Sequence, residues 1–162
     1  MSEILQSIIN IELNQNSKNY VLTINEGFTW ELVDNKVIIK KNIKTVNTID
    51  EIRLINFRNS RVEKVSINNI IINNYNYNSI IKYLFEDIIK DGTQIIRNSI
   101  LNIKTVYRND SGFHYLESIG ISYQGIDSNK AIIEICNQCK VNNIILNMTI
   151  KLNNNEFIMI YL

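Results

Sequence analysis

Residues 78–92, Asn-Ser-Ile-Ile-Lys-Tyr-Leu-Phe-Glu-Asp-Ile-Ile-Lys-Asp-Gly, restrict what this chain can fold into more than any other stretch. Ile80, Ile81, Leu84, Phe85, Ile88 and Ile89 recur at helical spacing and form one apolar stripe. Lys82, Glu86, Asp87 and Lys90 fall on the opposite side. Asn78 or Ser79 can accept from the orphan amides of a first turn, and Gly92 can take the left-handed conformation that closes a last one. The pattern predicts one long amphipathic helix. Six large apolar side chains on one face need a covering surface, since each contributes roughly 1.5–3 kcal/mol when fully buried. The flanking segments must supply it, and they read as strands.

The period changes to strand-like from residue 20. Residues 20–24, 28–33 and 36–41 form three consecutive β candidates, joined by Asn25-Glu26-Gly27 and by Asp34-Asn35, and predict an N-terminal meander or set of hairpins. Phe28, Trp30 and Leu32 alternate with Thr29 and Glu31, so Trp30 is expected on the core face. Residues 50–57 and 62–67 are expected to make a further hairpin that residues 70–72 extend. Ahead of these, residues 1–13 carry Ile4, Leu5, Ile8 and Ile9 with Ser2 as a cap, which predicts a short helix.

Beyond Gly92 the signal is weaker. Residues 93–102 fit a helix or the lead into a strand. Residues 101–108 and 113–123 flank Asn109-Asp110-Ser111-Gly112 and predict a long hairpin. Asp127 or Ser128 caps a helix to about Lys140, with Ile132, Ile135, Cys136 and Cys139 on one face. Residues 143–152 and 156–162 then form a terminal hairpin around three asparagines. Phe157 to Leu162 is apolar on both faces, so it must be a central strand, covered on both faces, or part of an interface. The expected class is α+β: a mainly antiparallel sheet packed against one long amphipathic helix, followed by a C-terminal ββαββ-like segment. A length of 162 residues fits a single domain 1–162, the alternative being a β-rich half 1–74 and an α+β half 75–162.

Charge and motifs exclude several classes of function. With 17 basic and 16 acidic residues no global field draws the chain to nucleic acid or acidic lipid. No apolar run approaches the ~20 residues that span a bilayer, and the first residues lack the basic and apolar pattern of a signal peptide. A soluble intracellular location, or a place in a virus- or phage-like particle, is expected, with no membrane partner. The 34 isoleucines and 27 asparagines make up more than a third of the chain, the bias that an AT-rich genome produces.

Cys136-Asn137-Gln138-Cys139 is a C-x-x-C, yet zinc needs four ligands and His114 is the lone histidine. A redox pair would sit at a helix N-terminus, whereas these cysteines fall near the C-terminal end. They read as small apolar core residues, and no metal or cofactor is expected. The dispersed glycines contain no phosphate-binding loop. His114 beside Ser111 and near Asp110 suggests a hydrolytic constellation, and His114 with Asp110 and Glu117 gives the alternative expectation of a small enzyme or nucleic-acid-processing factor. Arg53, Arg58, Arg61 and Lys64 with Tyr75 and Tyr77 suggest a single-strand-binding face, but Glu51 and Glu63 are interleaved with them, so nucleic acid is disfavoured. The leading expectation is a non-catalytic protein that binds other protein chains, as a homo-oligomer or within a hetero-assembly. The residues expected at its interface are Tyr75, Tyr77, Phe157, Met159, Tyr161 and Leu162.

Overall fold

A computed structural model describes residues 9–14, 19–24, 28–33, 36–41, 43–73, 76–108 and 110–162, with side chains from residue 43 onward. The fold is mixed α+β with mainly antiparallel sheets. Strands β1 (Ile9–Asn14) and β2 (Asn19–Ile24) pair antiparallel in one two-stranded sheet, and β3 (Phe28–Val33) and β4 (Lys36–Lys41) in another. The N-terminal strands are therefore two hairpins rather than one meander. The helix expected over residues 1–13 is corrected for residues 9–13: Ile9, Ile11 and Leu13 stand in register with Ile24, Leu22 and Tyr20, and the cross-strand partners outweigh a weak helical period. Residues 1–8 and the side chain of Trp30 lie outside the described residues.

The main sheet has five strands in the order β5-β12-β11-β6-β7, comprising β5 (Ile43–Val46), β6 (Arg61–Ile67), β7 (Ile70–Ile71), β11 (Leu146–Lys151) and β12 (Phe157–Tyr161). Its pairs are antiparallel except β5 with β12, which run parallel. Strand β12 thus has a neighbour on each side, which answers the aggregation hazard of its doubly apolar sequence. A second sheet, β8-β10-β9, contains β8 (Ile103–Lys104), β9 (Phe113–Leu116) and β10 (Ile121–Gln124). The long hairpin expected here is different in detail. Leu116 accepts from the amides of Ile119 and Gly120, the chain turns at Gly120 with φ of 67°, and β10 folds back between β9 and β8.

Four helices occur among the described residues. The first, α1 (Ile49–Arg53), replaces part of an expected strand. Thr48 Oγ1 accepts from the Glu51 amide while the Glu51 carboxylate accepts from the amides of Asn47 and Thr48, a capping box that closes the first turn. The stretch 78–92 is not one long α-helix. Helix α2 (Tyr77–Tyr83), capped by Asn76, passes into a π-helical segment Leu84–Ile89 that ends at Lys90 in the left-handed conformation. Its apolar residues repeat every four positions, and on a 3.6-residue turn such a stripe drifts by about 40° per turn. The wider i→i+5 turns take up that drift and keep Leu84 and Phe85 on the core side with Ile80 and Ile81. Asp91 then caps α3 (Gly92–Asn98), so Gly92 begins a helix instead of closing one.

Helix α4 (Ser128–Val141) is the longest, at 14 residues, and is capped by Asp127. It touches each of the other three helices. Its buried Ile132, Ile135, Cys136 and Cys139 join Val65, Leu146, Met148, Ile150 and Ile160 of the main sheet in one core. The smaller sheet adds Leu116, Ile121 and Tyr123, and Phe85 meets the Tyr123 ring edge-on at 5.9 Å. No helix among the described residues is long and apolar enough to cross a membrane.

Candidate interface on the outer face of the main sheet

Residues directly opposite in neighbouring strands share a face, so the register of the main sheet sorts its side chains into two sets. Val46, Val65, Ile67, Leu146, Met148, Ile150, Ile158 and Ile160 are buried in the core. The other set runs in three rows. One is Ile71, Ser66, Asn147 and Tyr161; the next is Lys64, Thr149, Met159 and Thr45; the third is Arg61, Lys151, Phe157 and Ile43. A bulge between Thr149 and Ile150 keeps Arg61 on this face despite the intervening Glu63.

Three of the residues expected at an interface stand together here. Along β12, Phe157 is buried, Met159 half-buried and Tyr161 52 % exposed, with Ile43 40 % exposed on the adjoining strand. The β6 and β11 side of the same face carries Arg61, Lys64 and Lys151. Lys151 Nζ lies 5.8 Å from the centre of the Phe157 ring, and Arg61 Nε lies 2.6 Å from Glu63 Oε1. The arrangement is an apolar row with a basic flank.

The other expected interface residues are placed elsewhere. Leu162 exchanges backbone hydrogen bonds with Leu146, belonging with the core-facing set, and lines an apolar cleft of about 450 Å³ with Ile49, Cys139, Ile144 and Ile145. The Tyr77 hydroxyl is 2.6 Å from Ser60 Oγ, whose own proton goes to the Phe57 carbonyl. Burial raises the Tyr77 phenol pKa. Tyr75 lies outside the described residues.

The groups considered for catalysis are dispersed. His114 is exposed and its ring lies 5.2 Å from that of Tyr123, beside a cleft of about 310 Å³ that also includes Asn78, Ser79 and Lys82. Among the described residues no carboxylate hydrogen-bonds His114. Asp110 instead holds Arg108 through two bonds of 2.9 and 2.7 Å, and the Arg108 hydrogen bond keeps its carboxyl below the usual range. Glu117 is exposed. Arg53 sits on α1 beside Asp50, on a different element from Arg61 and Lys64. Cys136 and Cys139 are buried in the C-terminal half of α4, where burial pushes both thiols up, Cys139 to about 12. No cluster of three or more histidine, cysteine or acidic side chains able to hold a metal occurs among the described residues.

One polar constellation was not anticipated. Glu134, fully buried in α4, accepts from Ser99 Oγ, the Ile100 amide and Gln138 Nε2, and Asn142 carries the network on to Gln94. The sequence signal was the spacing: Glu134, Gln138 and Asn142 lie four apart, on one stripe of an otherwise apolar helix. Compared with protein-family models, curated proteins and solved structures, the chain matches none.

Proposed function

We propose that this protein is a non-catalytic component of a larger assembly and that it binds another protein chain through the outer face of its main sheet. The observation that carries this reading is the alignment of Phe157, Met159 and Tyr161 on that face beside Ile43, flanked by Arg61, Lys64 and Lys151. Such a surface fits a partner that presents an apolar anchor with an acidic rim: the aromatic and aliphatic row supplies the desolvated centre, and the lysines and arginine select by charge. The isoleucine and asparagine bias fits an AT-rich phage, phage-tail-like particle or virus as its home.

The test is recovery of the untagged protein from its native source, with its mass measured by light scattering and native mass spectrometry. A retained partner of fixed stoichiometry is expected, with affinity at least roughly tenfold weaker for Tyr161→Ser, as when a central aromatic contact is truncated. The melting temperature of that variant should stay close to the parent's. A chain recovered alone, or a Tyr161→Ser variant that binds as well as the parent, overturns the reading.

A further inference from the structure

The opposite edge of the main sheet carries a second, independent signal. Among the described residues strand β7, two residues long, ends the sheet on this side, and natural edges are guarded by short length, charges, prolines or bulges against pairing with another chain. This one has no charged residue from Asn68 to Asn74, while Ile70 and Ile71 are 58 % and 59 % exposed. Asn68 and Asn69 both take positive φ, 49° and 66°, and form the two-residue turn that closes β6 on β7, with Ile67 opposite Ile70. The Ile72 amide donates back to the Val65 carbonyl at 3.1 Å. Hydrogen bonding alternates along an antiparallel strand, so the amide and carbonyl of Ile71 point away from β6.

Asn68-Asn69-Ile70-Ile71-Ile72-Asn73-Asn74 reads the same in both directions, and its centre is Ile71. An antiparallel pair of such strands related by a two-fold axis sets Ile71 against its own counterpart. Ile70 then faces Ile72, and no charge is opposed. The central pair is also the one whose backbone groups are turned outward, so two reciprocal N–H to carbonyl bonds form across the axis. The geometry points to β7 as a homodimerisation edge, at which two copies of this chain pair about Ile71 and join their main sheets into one continuous sheet. The occupant is a second copy because the strand is complementary to its own reverse. A contact this short belongs to the small, readily reversible class of interfaces.

Cysteine substitution tests both the pairing and its register. In Ile71→Cys the two new thiols face one another with Cα atoms about 5.5 Å apart, within disulfide reach. In Ile70→Cys each new thiol faces Ile72 of the other copy, and the two Cα atoms are roughly 8 Å apart, beyond it. Mild oxidation should therefore link Ile71→Cys into dimers much faster than Ile70→Cys; both variants carry the buried Cys136 and Cys139 equally. In sedimentation over a concentration series the parent should move from monomer towards dimer. Ile71→Lys, which places like charges across the axis, should stay monomeric with an unchanged melting temperature, and Tyr161→Ser should dimerise as the parent does. A parent that stays monomeric throughout overturns the inference, as does equal cross-linking of the two cysteine variants or recovery of β7 paired only with a strand of a different protein.

Discussion

Ser99 Oγ donates to Glu134 Oε1 at 2.7 Å, tying the end of α3 to the middle of α4. The other carboxylate oxygen accepts from the Ile100 amide at 2.8 Å, and Gln138 Nε2 adds a third donor at 2.9 Å. A buried carboxylate is tolerated when its lone pairs are filled this way. Glu134→Ala leaves those donors without their acceptor, and unmet buried donors cost about 1–3 kcal/mol each. Ser99 and Ile100 are partly accessible to water, so the expected total loss is roughly 2–4 kcal/mol. Glu134→Gln, which retains one acceptor, should lose less. Urea unfolding measures both, and an alanine variant as stable as the parent removes the network from any account of how the loop after α3 is held.

The buried thiols and Tyr123 make stability sensitive to alkali. Burial pushes Cys139 from 9.0 up to about 12 and raises Cys136 in the same direction. Burial, with a smaller contribution from the nearby Glu86 charge, moves Tyr123 from 10.0 to about 12. All three groups are neutral when protonated, and folding favours that neutral form. Their stabilisation is complete below the unfolded values and is lost as pH rises towards the folded ones. Above about pH 9 the unfolded chain has released protons that the native state keeps, so stability falls by about 1.4 kcal/mol per pH unit for each group in that window. Melting temperature should be flat up to about pH 9 and then drop steeply. Cys136→Ala with Cys139→Ala should remove much of the slope. A thiol reagent at pH 8 should label neither cysteine until the protein is unfolded.

Much of the fold could be read locally. Asp127 as a cap, the buried face of α4 and the β11–β12 hairpin each depend on residues close in sequence, where period and turn chemistry act directly. Helix α1 was equally legible, since Thr48 and Glu51 have the capping-box spacing and Ile49, Ile52 and Ile55 recur every three residues, a helical rather than a strand period. The π-helical turn after Tyr83 left a trace in the strict four-residue repeat from Ile80 to Ile89, a helical spacing whose stripe drifts around a 3.6-residue turn. What local pattern does not carry is the choice of distant partners. Nothing near Ile43 says that β5 runs parallel to β12, and that pairing puts Ile43 beside Phe157 on the candidate interface. His114, Asp110 and Glu117 are separated locally, with Asp110 held to Arg108 before β9, His114 on it and Glu117 just past its end.

Tyr77 separates packing from recognition. Its hydroxyl is committed to Ser60, and the ring packs against the core. Tyr77→Phe keeps the ring and removes one hydrogen bond, so a loss of about 0.5–1.5 kcal/mol is expected in denaturant unfolding. Partner capture should be unchanged, in contrast with Tyr161→Ser. Equal stability combined with weakened capture would instead place the Tyr77 hydroxyl at the interface.

Lys90 is where the π-helical segment stops, and it does so in a conformation that disfavours a side chain. Its φ of 59° and ψ of 2° are left-handed, and its amide donates to the Phe85 carbonyl at 2.9 Å. A non-glycine residue there costs roughly 1–2 kcal/mol. Glycine removes that strain but gives up about 0.5–1 kcal/mol through the greater freedom of the unfolded chain. Lys90 is exposed, so little packing is lost with its side chain. Lys90→Gly should therefore stabilise the protein by about 0.5–1 kcal/mol, a rise of roughly 1–4 °C in melting temperature for a chain of this size. Lys90→Val, whose branched Cβ fits the left-handed region poorly, should lower it. The two substitutions shift stability in opposite directions only if the backbone at this position is left-handed; a glycine variant that melts below the parent would show that the helix ends in some other way.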